Sequence, residues 1–452
     1  PAYAFWRRYF IEGIREAGHE PIEPTDVDWA EGLLLRSADE HARWRESAWS
    51  QTIAQLKTAH ARQPVHLVLS YFFPAQIEPS ALSEMRATGI PCVNFFCDNV
   101  REFVSVPREF HGFDCHWVPE FAALPLYRHA GLTFVYVPMP VWTPPSTRQV
   151  PVHETEQTTF IGSHDVLRER LLGEAFARGL RLKIHGAGWP ASTAYPPSPK
   201  PRSSSHVESF FARQRSFFRA QGFQGYAMKL SYKLQRPRPR AWLNDALLPP
   251  VYDEAYFRLT RESALTLGIN RYPDFRHPAW SPGTYSRLRD IEAPMLGACY
   301  LTEDCPGLDQ LYEPGREIET YRNADELVAK AHALLADPAR RRELREAIGR
   351  RLRMLPGKNL RRARSPEHNN MSRLCLYYRS EPECDRWFLG DRFVRPVLRR
   401  LLRRTPSPGG VEKVFLNLCL GLDRIGPAYE VNLPFQKLRP DDRVAILGRG
   451  LK

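Results

Sequence analysis

The chain has 452 residues, 43% of them hydrophobic, which is enough for about three domains with buried cores. This length and composition exclude a peptide hormone and a disordered tail. Lysine and arginine number 64 against 51 acidic residues, giving a formal net charge of +13. The 40 prolines predict a chain rich in turns.

The positive charge lies mainly in two segments. Residues 200–240 contain ten basic side chains and one acid, and residues 340–404 contain twenty against seven. The remaining body carries a net charge of −9, which argues against a protein whose whole face follows nucleic acid. Leucine and arginine alternate at helical spacing in VRPVLRRLLRR (394–404). Three interpretations of this helix stay open: a solvated face, a contact with a membrane surface or partner, and a contact with nucleic acid.

None of the eight cysteines forms a C-x-x-C pair with a second Cys or His pair downstream, so no structural zinc is predicted. We expect buried, reduced thiols and a cytoplasmic protein. No run of about 18 apolar residues and no secretory signal pattern is visible. The chain begins at Pro1 without Met, and we read both ends as cut.

Residues 1–145 predict one α/β lobe. A helix is predicted at 3–17 and a short strand at 19–22, and we expect the strand before this helix to be missing. Four apolar runs then alternate with helical patterns, which is typical of βαβ units in a parallel sheet. The runs are VHLVLSYF (65–72), PCVNFFCD (91–98), FDCHWVPE (113–120) and LTFVYVPM (132–139).

The proline-rich segment 141–157 predicts a linker, and residues 146–357 predict a second α/β lobe with a basic insertion at 190–250. Two such lobes bring the carboxyl ends of their sheets to a cleft, where nucleotides usually bind. The predicted elements are strands at 158–163, 180–186, 264–270 and 298–304 and helices at 166–179, 284–297 and 323–337.

Residues 358–452 predict a linker and the truncated start of a third α/β unit. Its elements are a strand RLCLYY, a basic helix, an apolar helix within 406–426 and a final strand in DDRVAILGRG (441–450). The segment is either a fusion of neighbouring reading frames or part of a truncated multidomain protein.

Two motifs predict binding of a phosphorylated ligand. In F-I-G-S (160–163) a small-residue turn separates a strand from a helix, so backbone N–H groups can face a diphosphate, with Arg168 close by. A plain structural turn is the alternative. In the second motif Glu292 can accept both ribose hydroxyls, and Arg287 and Arg289 can neutralise phosphate. His185, at a strand end, is a further candidate phosphate contact.

These segments resemble the CgeB-like (spore maturation protein) glycosyltransferases, a bacterial branch of the GT-B glycosyltransferases. The resemblance covers about residues 65–355. It implies two Rossmann-like lobes that face a cleft, with a nucleotide-sugar donor in the C-terminal lobe and the acceptor in the N-terminal lobe. The resembling segments are T-F-I-G-S (159–163), G-L-R-L-K-I-H-G-A-G-W (179–189), L-G-I-N (267–270), R-D-I-E-A-P-M-L-G-A-C-Y-L-T-E (289–303) and L-Y-E-P-G-R-E-I-E-T-Y (311–321).

By this resemblance Glu292 matches the acid that contacts the donor ribose and is also a candidate catalytic residue. Arg289 matches the arginine three residues earlier. Thr284 replaces the first acid of the related E-x7-E pattern, which leaves a retaining mechanism built on that pair in doubt. Gly162 and Ser163 match the diphosphate loop, and Gly186 matches the turn after the second strand.

The catalytic base is harder to predict. Asp98 follows the strand VNFFC and is the best placed candidate, although an Asx turn or a helix cap is the more common role for an aspartate after a strand; His116 and Glu120 are rivals. The D-V-D at 26–28 predicts a helix cap, and no D-x-D stands at a strand end. We therefore expect arginines and helix N-termini, without a metal, to stabilise the leaving group.

The sequence thus predicts a metal-independent glycosyltransferase of the hexosyl type that uses no cofactor besides its nucleotide-sugar substrate. The acceptor, a glycan, protein or lipid, is unknown, and nucleic acid is not expected as a partner. A peripheral contact with the inner face of the membrane through residues 340–404 is one option. Residues 358–452 can also begin a second glycosyltransferase unit. The alternative function is a non-catalytic GT-B-derived module that binds a glycan or nucleotide.

Overall fold

The computed structural model describes residues 4–33, 38–151, 153–189, 223–228, 230–232, 241–273, 276–354 and 443–448. These residues form two compact units that divide between Trp142 and Thr143, and the strand at 443–448 returns to the first unit. Each unit contains one six-stranded sheet whose strands all pair in parallel. This confirms the predicted α/β class with two Rossmann-like lobes.

The sheet of the first unit has the strand order β1-β12-β2-β3-β4-β5. Its strands are β1 (Glu20–Ile22), β2 (Val65–Tyr71), β3 (Cys92–Phe95), β4 (Cys115–Val118), β5 (Phe134–Tyr136) and β12 (Arg443–Gly448). Its α-helices are Ala4–Glu16, Ala38–Arg62, Pro79–Ala87, Asn99–Glu102 and Leu124–His129. The five predicted strands and the first helix are therefore present close to their expected positions.

The helix Ala38–Arg62 was not predicted. It buries Ala48, Trp49, Ile53 and Leu56, a stripe that the surrounding charged residues obscure in the sequence. The indole of Trp49 donates a hydrogen bond to the Gln76 carbonyl at 2.8 Å, which ties this helix to the loop after β2.

The strand β12 lies between β1 and β2 in the first sheet. Six of its residues pair with β2, from Arg443 opposite Val65 to Gly448 opposite Tyr71. The sequence predicted this segment as a strand but assigned it to a third unit, and it predicted that the strand before the first helix was missing. Local sequence patterns carry no information about which distant strand will pair, so the location in the first sheet was not predictable.

The sheet of the second unit has the order β11-β10-β9-β6-β7-β8. Its strands are β6 (Thr155–Ile161), β7 (Lys183–His185), β8 (Leu247–Leu248), β9 (Ser263–Gly268), β10 (Tyr300–Glu303) and β11 (Glu319–Tyr321). Its α-helices are Val166–Ala177, Leu243–Ala246, Asp253–Glu262, Leu288–Met295, Leu308–Leu311, Ala324–Ala336 and Pro338–Met354. The helix Asp253–Glu262 and the short strand β8 were not predicted, so the end of the expected insertion belongs to the sheet.

Two arginines of the basic segment are buried in the second unit. On the helix Pro338–Met354, Arg341 Nε donates to Glu154 Oε1 at 2.8 Å and Arg345 Nη2 donates to Glu154 Oε2 at 3.0 Å. Arg345 also donates to the carbonyl oxygens of Arg261 and Ser263, at 2.6 Å each. These two arginines therefore do not belong to a solvated face: they hold the helix against the sheet. The segment 394–404, whose three interpretations stayed open, lies outside the described residues.

The five cysteines in the described residues are buried, as the sequence predicted, and no disulfide joins them: Cys92, Cys97, Cys115, Cys299 and Cys305. Within the same residues, none of the helices has the length and apolar character needed to cross a membrane. Three predicted segments lie outside the described residues: most of the insertion at 190–250, the part of 340–404 that follows the helix Pro338–Met354, and the strand and helices expected before β12.

Candidate functional site

The Gly162–Ser163 turn lies where the carboxyl ends of β6 and β7 meet. Gly162 N donates to the His185 carbonyl at 2.8 Å, and the Trp189 indole donates to the Gly162 carbonyl at 2.9 Å. A Cβ atom at Gly186 would overlap the Gly162 carbonyl oxygen. The close approach of the two strand ends therefore requires glycine at 186.

The helix Val166–Ala177 begins directly after this turn, but an acid of the chain already caps it. The Asp165 carboxylate accepts hydrogen bonds from Leu167 N and Arg168 N, both at 2.9 Å. Two of the N–H groups expected to face a diphosphate are therefore in use. The capacity of this site for an anion depends on its arginine side chains instead.

Arg168 contacts the turn and lies near two further arginines. Its Nη1 donates to the Ser163 carbonyl at 2.7 Å and to Ser163 Oγ at 3.2 Å, and Nε is 3.1 Å from Asp165 Oδ2. Burial lowers the pKa of Arg168 to about 10, and the positive charges of Arg287 and Arg289 contribute to the decrease. Three neighbouring guanidinium groups, one of them partly buried, form a region that an anion would stabilise.

Arg287 and Arg289 stand at the start of the helix Leu288–Met295. The Arg287 guanidinium lies 4.9 Å from the centre of the Tyr285 ring and donates through Nη2 to the Arg271 carbonyl at 3.0 Å. The Arg289 guanidinium lies 5.3 Å from the centre of the Tyr256 ring. Its Nη1 is buried and has no hydrogen-bond partner among the described residues.

Asp290 fixes the beginning of this helix, a role that the sequence interpretation missed. It is fully buried, and Oδ2 accepts from Arg287 N at 2.9 Å. Oδ1 accepts from the hydroxyls of Tyr300 and Thr302, both at 2.8 Å. Burial raises the pKa of Asp290, and these donors oppose the rise. The acid three residues into the helix was the available signal, because that spacing is typical of N-terminal capping.

Glu292 is buried one turn into the same helix. Its carboxylate accepts a hydrogen bond from the Tyr256 hydroxyl, and the Tyr256 ring is the one that Arg289 covers. A series of neighbouring side chains thus leads from the Ser163 turn to Glu292: first Arg168, then Arg287 and Arg289, then Tyr256. Tyr256 was missed because the helix Asp253–Glu262 was not predicted.

In the first unit the structure brings Asp98 and Glu120 together, after the neighbouring strands β3 and β4. Asp98 is half-buried, has φ of 72° and precedes the helix Asn99–Glu102. Glu120 is fully buried, and Oε2 accepts from Val100 N at 3.2 Å. Burial, and to a smaller extent the charge of Asp98, raises the pKa of Glu120 to about 8.

His116, the third candidate base, is a packed core residue. Burial lowers its pKa to about 3, and neither ring nitrogen has a hydrogen-bond partner in the part of the chain that the structure describes. Its ring packs against the rings of Phe110, Phe113 and Tyr127. The ring is therefore enclosed by aromatic side chains of the first unit.

In the loop containing the D-V-D, Asp28 Oδ1 accepts from Ala30 N at 3.0 Å, just before a short 3₁₀ helix. The described residues contain no group of three or more His, Cys, Asp or Glu side chains that could hold a metal ion.

Residues 168–362 match the model of the glycosyl transferase-like family. This span includes the three arginines and Glu292. No curated protein matches the chain. The family match supports sugar transfer as the reaction class.

Solved structures with distant similarity include three enzymes. Sucrose-phosphate synthase from Thermosynechococcus elongatus is 12% identical, with 68% of this chain and 74% of that chain covered and a TM-score of 0.41. A glycosyltransferase from Rickettsia africae is 11% identical, with coverages of 77% and 90% and a TM-score of 0.43. AviGT4, a glycosyltransferase involved in avilamycin A biosynthesis, is 16% identical, with coverages of 76% and 82% and a TM-score of 0.41.

Proposed function

We propose that the protein is a glycosyltransferase that moves a sugar from a nucleotide-diphosphate donor to an acceptor hydroxyl. The observation that carries this proposal is the cluster of Arg168, Arg287 and Arg289, in which Arg289 Nη1 is buried with no hydrogen-bond partner among the described residues. A diphosphate would neutralise this charge and supply acceptors to the guanidinium groups. Glu292 would accept the ribose hydroxyls, with Tyr256 holding the carboxylate in place.

The CgeB-like branch, a hexosyl group, independence from metal and a cytoplasmic location belong to the same proposal and rest on the sequence. In the reaction the acceptor oxygen attacks the anomeric carbon while the bond to the diphosphate breaks. The electron pair of that bond leaves with the diphosphate, next to the arginines. Asp98 is the proposed acceptor of the hydroxyl proton, because neighbouring Glu120 keeps its own proton near neutral pH.

Binding and turnover of radiolabelled UDP-glucose and GDP-mannose test this proposal. We expect Arg289→Ala to weaken donor binding roughly 10- to 100-fold, since a charge-assisted hydrogen bond contributes about 1.5–3 kcal/mol. Exposed Arg342→Ala is the matched control and should bind normally. Slow donor hydrolysis that persists in EDTA and disappears in Glu292→Ala supports the metal-independent enzyme.

The alternative is a non-catalytic module that binds a glycan or nucleotide. Thr284, where the related pattern has an acid, favours it, because a threonine hydroxyl cannot supply the missing carboxylate. Donor binding without turnover of either nucleotide sugar would support the module. Failure of the wild-type protein to bind any nucleotide would contradict the glycosyltransferase and the nucleotide-binding form of the module.

A further inference from the structure

His185 occupies a position that fixes its protonation state. The residue ends β7 and is 7% exposed, and its Nδ1 lies 2.7 Å from the Pro249 carbonyl oxygen. A carbonyl oxygen only accepts hydrogen bonds, so Nδ1 must carry the hydrogen. Burial lowers the pKa of His185, and the charge of Lys183 contributes to the decrease. The ring is therefore neutral near pH 7 and Nε2 is an acceptor with a free lone pair.

This acceptor is buried and unsatisfied. Nε2 has no hydrogen-bond donor among the described residues, and buried polar atoms in proteins are rarely left in that state. The backbone of His185 adjoins the Gly162 turn, because the His185 carbonyl accepts the Gly162 N–H and Gly186 is in contact with the Gly162 carbonyl. The strand end that carries this ring therefore lies next to the turn of the proposed diphosphate site.

The sequence predicted that His185 contacts phosphate, but the observed geometry fits a different group. A phosphate oxygen and a bare imidazole nitrogen are both acceptors, so they repel each other. A sugar hydroxyl is a donor and fits.

We propose that Nε2 of His185 accepts a hydrogen bond from a hydroxyl group of the bound nucleotide sugar, and that His185 is a positioning residue for the donor. This inference rests on the proposed function and adds a selective contact to it. The hydroxyl belongs to the ribose or to the transferred sugar. These two possibilities are distinguished by comparing the binding of nucleotide sugars with the binding of nucleotides.

Two substitutions distinguish the roles of the two ring nitrogens. The amide nitrogen of His185→Asn can keep the hydrogen bond to Pro249 while the acceptor at Nε2 is lost. The longer His185→Gln can place its amide oxygen near the position of Nε2. Isothermal titration should use UDP-glucose, GDP-mannose, UDP, GDP and inorganic pyrophosphate, the last of which has no sugar hydroxyl.

We expect His185→Asn to weaken binding of the nucleotide sugar about fivefold, His185→Gln to retain most of the affinity, and pyrophosphate to bind both variants like the wild type. A loss for nucleotide and nucleotide sugar alike assigns the hydroxyl to ribose, and a loss for the nucleotide sugar alone assigns it to the transferred sugar. Normal binding of every ligand by His185→Asn would overturn the inference while the proposed function stands. An equal loss for pyrophosphate would also overturn it, in favour of a phosphate contact.

The tautomer provides a readout that needs no ligand. Nitrogen-15 NMR of the histidine rings should show a protonated Nδ1 and a bare Nε2 for His185, and the Nε2 resonance should shift when UDP-glucose or GDP-mannose is added. A protonated Nε2 in the free protein would contradict the inference whether or not a nucleotide binds.

Discussion

Glu120 is a carboxyl group that the fold keeps protonated near neutral pH. Burial and the neighbouring Asp98 raise its pKa from the ordinary value of 4.5 to about 8. Between these values the folded protein holds a proton that the unfolded chain releases. The free energy of unfolding therefore falls as pH rises through this window, by about 1.4 kcal/mol per pH unit.

Substitution of Asp98 tests this coupling. We expect Asp98→Asn to lower the pKa of Glu120, because it removes the adjacent negative charge, and we expect Glu120→Gln to abolish this part of the pH dependence of stability. Carbon-13 NMR titration of the carboxyl groups and urea unfolding between pH 4.5 and 8 measure the two effects. Exposed Asp39→Asn should change neither. Titration of wild-type Glu120 near 4.5 would contradict the prediction.

Asp98 and Glu120 follow strand ends, where apolar runs give way to polar residues, whereas His116 lies within β4. The sequence could not rank the three candidate bases. Their charge depends on burial by residues outside these runs, such as Tyr127 beside His116. Tyr256 was missed for a related reason, because its contact with Glu292 joins residues 36 positions apart.

At the level of elements, the helix Pro338–Met354 is attached by charge rather than by apolar packing alone. Arg345 is 3% exposed and binds three backbone carbonyls as well as Glu154. The sequence shows a run of arginines, but their spacing alone cannot tell which of them will find buried acceptors. The alternation of apolar runs, in contrast, predicted most strands of both sheets.

Loss of the Arg345 side chain should destabilise the second unit strongly. We expect Arg345→Ala to lower the free energy of unfolding by about 3–5 kcal/mol, since it leaves the backbone carbonyls and Glu154 Oε2 without this donor. Arg342→Ala, on the exposed side of the same helix, should change it by less than about 0.5 kcal/mol. Urea unfolding measures both variants. Equal stability of the two would show that the buried contacts contribute nothing.

At the scale of the whole molecule, the sheet of the first unit is complete only with β12. The strand fills the space between β1 and β2, and Ile446 pairs with Leu69. Without it both neighbours would present unpaired edges. The stability of the first unit therefore depends on a segment that follows the entire second unit in the sequence.

Proline substitutions in the two sheets should have reciprocal effects. Ile446→Pro removes a ladder donor from β12, so we expect faster amide exchange in β2 and normal protection in β9. Leu301→Pro in β10 should unprotect β9 and leave β2 unchanged. Hydrogen exchange read by mass spectrometry follows all four strands. Full protection of β2 in Ile446→Pro would contradict the observed strand order.

The pairing of β12 with β2 also determines the order in which the two units can fold during synthesis. Residues 443–448 leave the ribosome only after residues 143–352, so the second unit can acquire its structure while the first sheet still lacks an inner strand. During that interval the nascent edges of β1 and β2 are open to other chains. This protein should therefore rely on chaperones more than one whose N-terminal domain closes as it emerges.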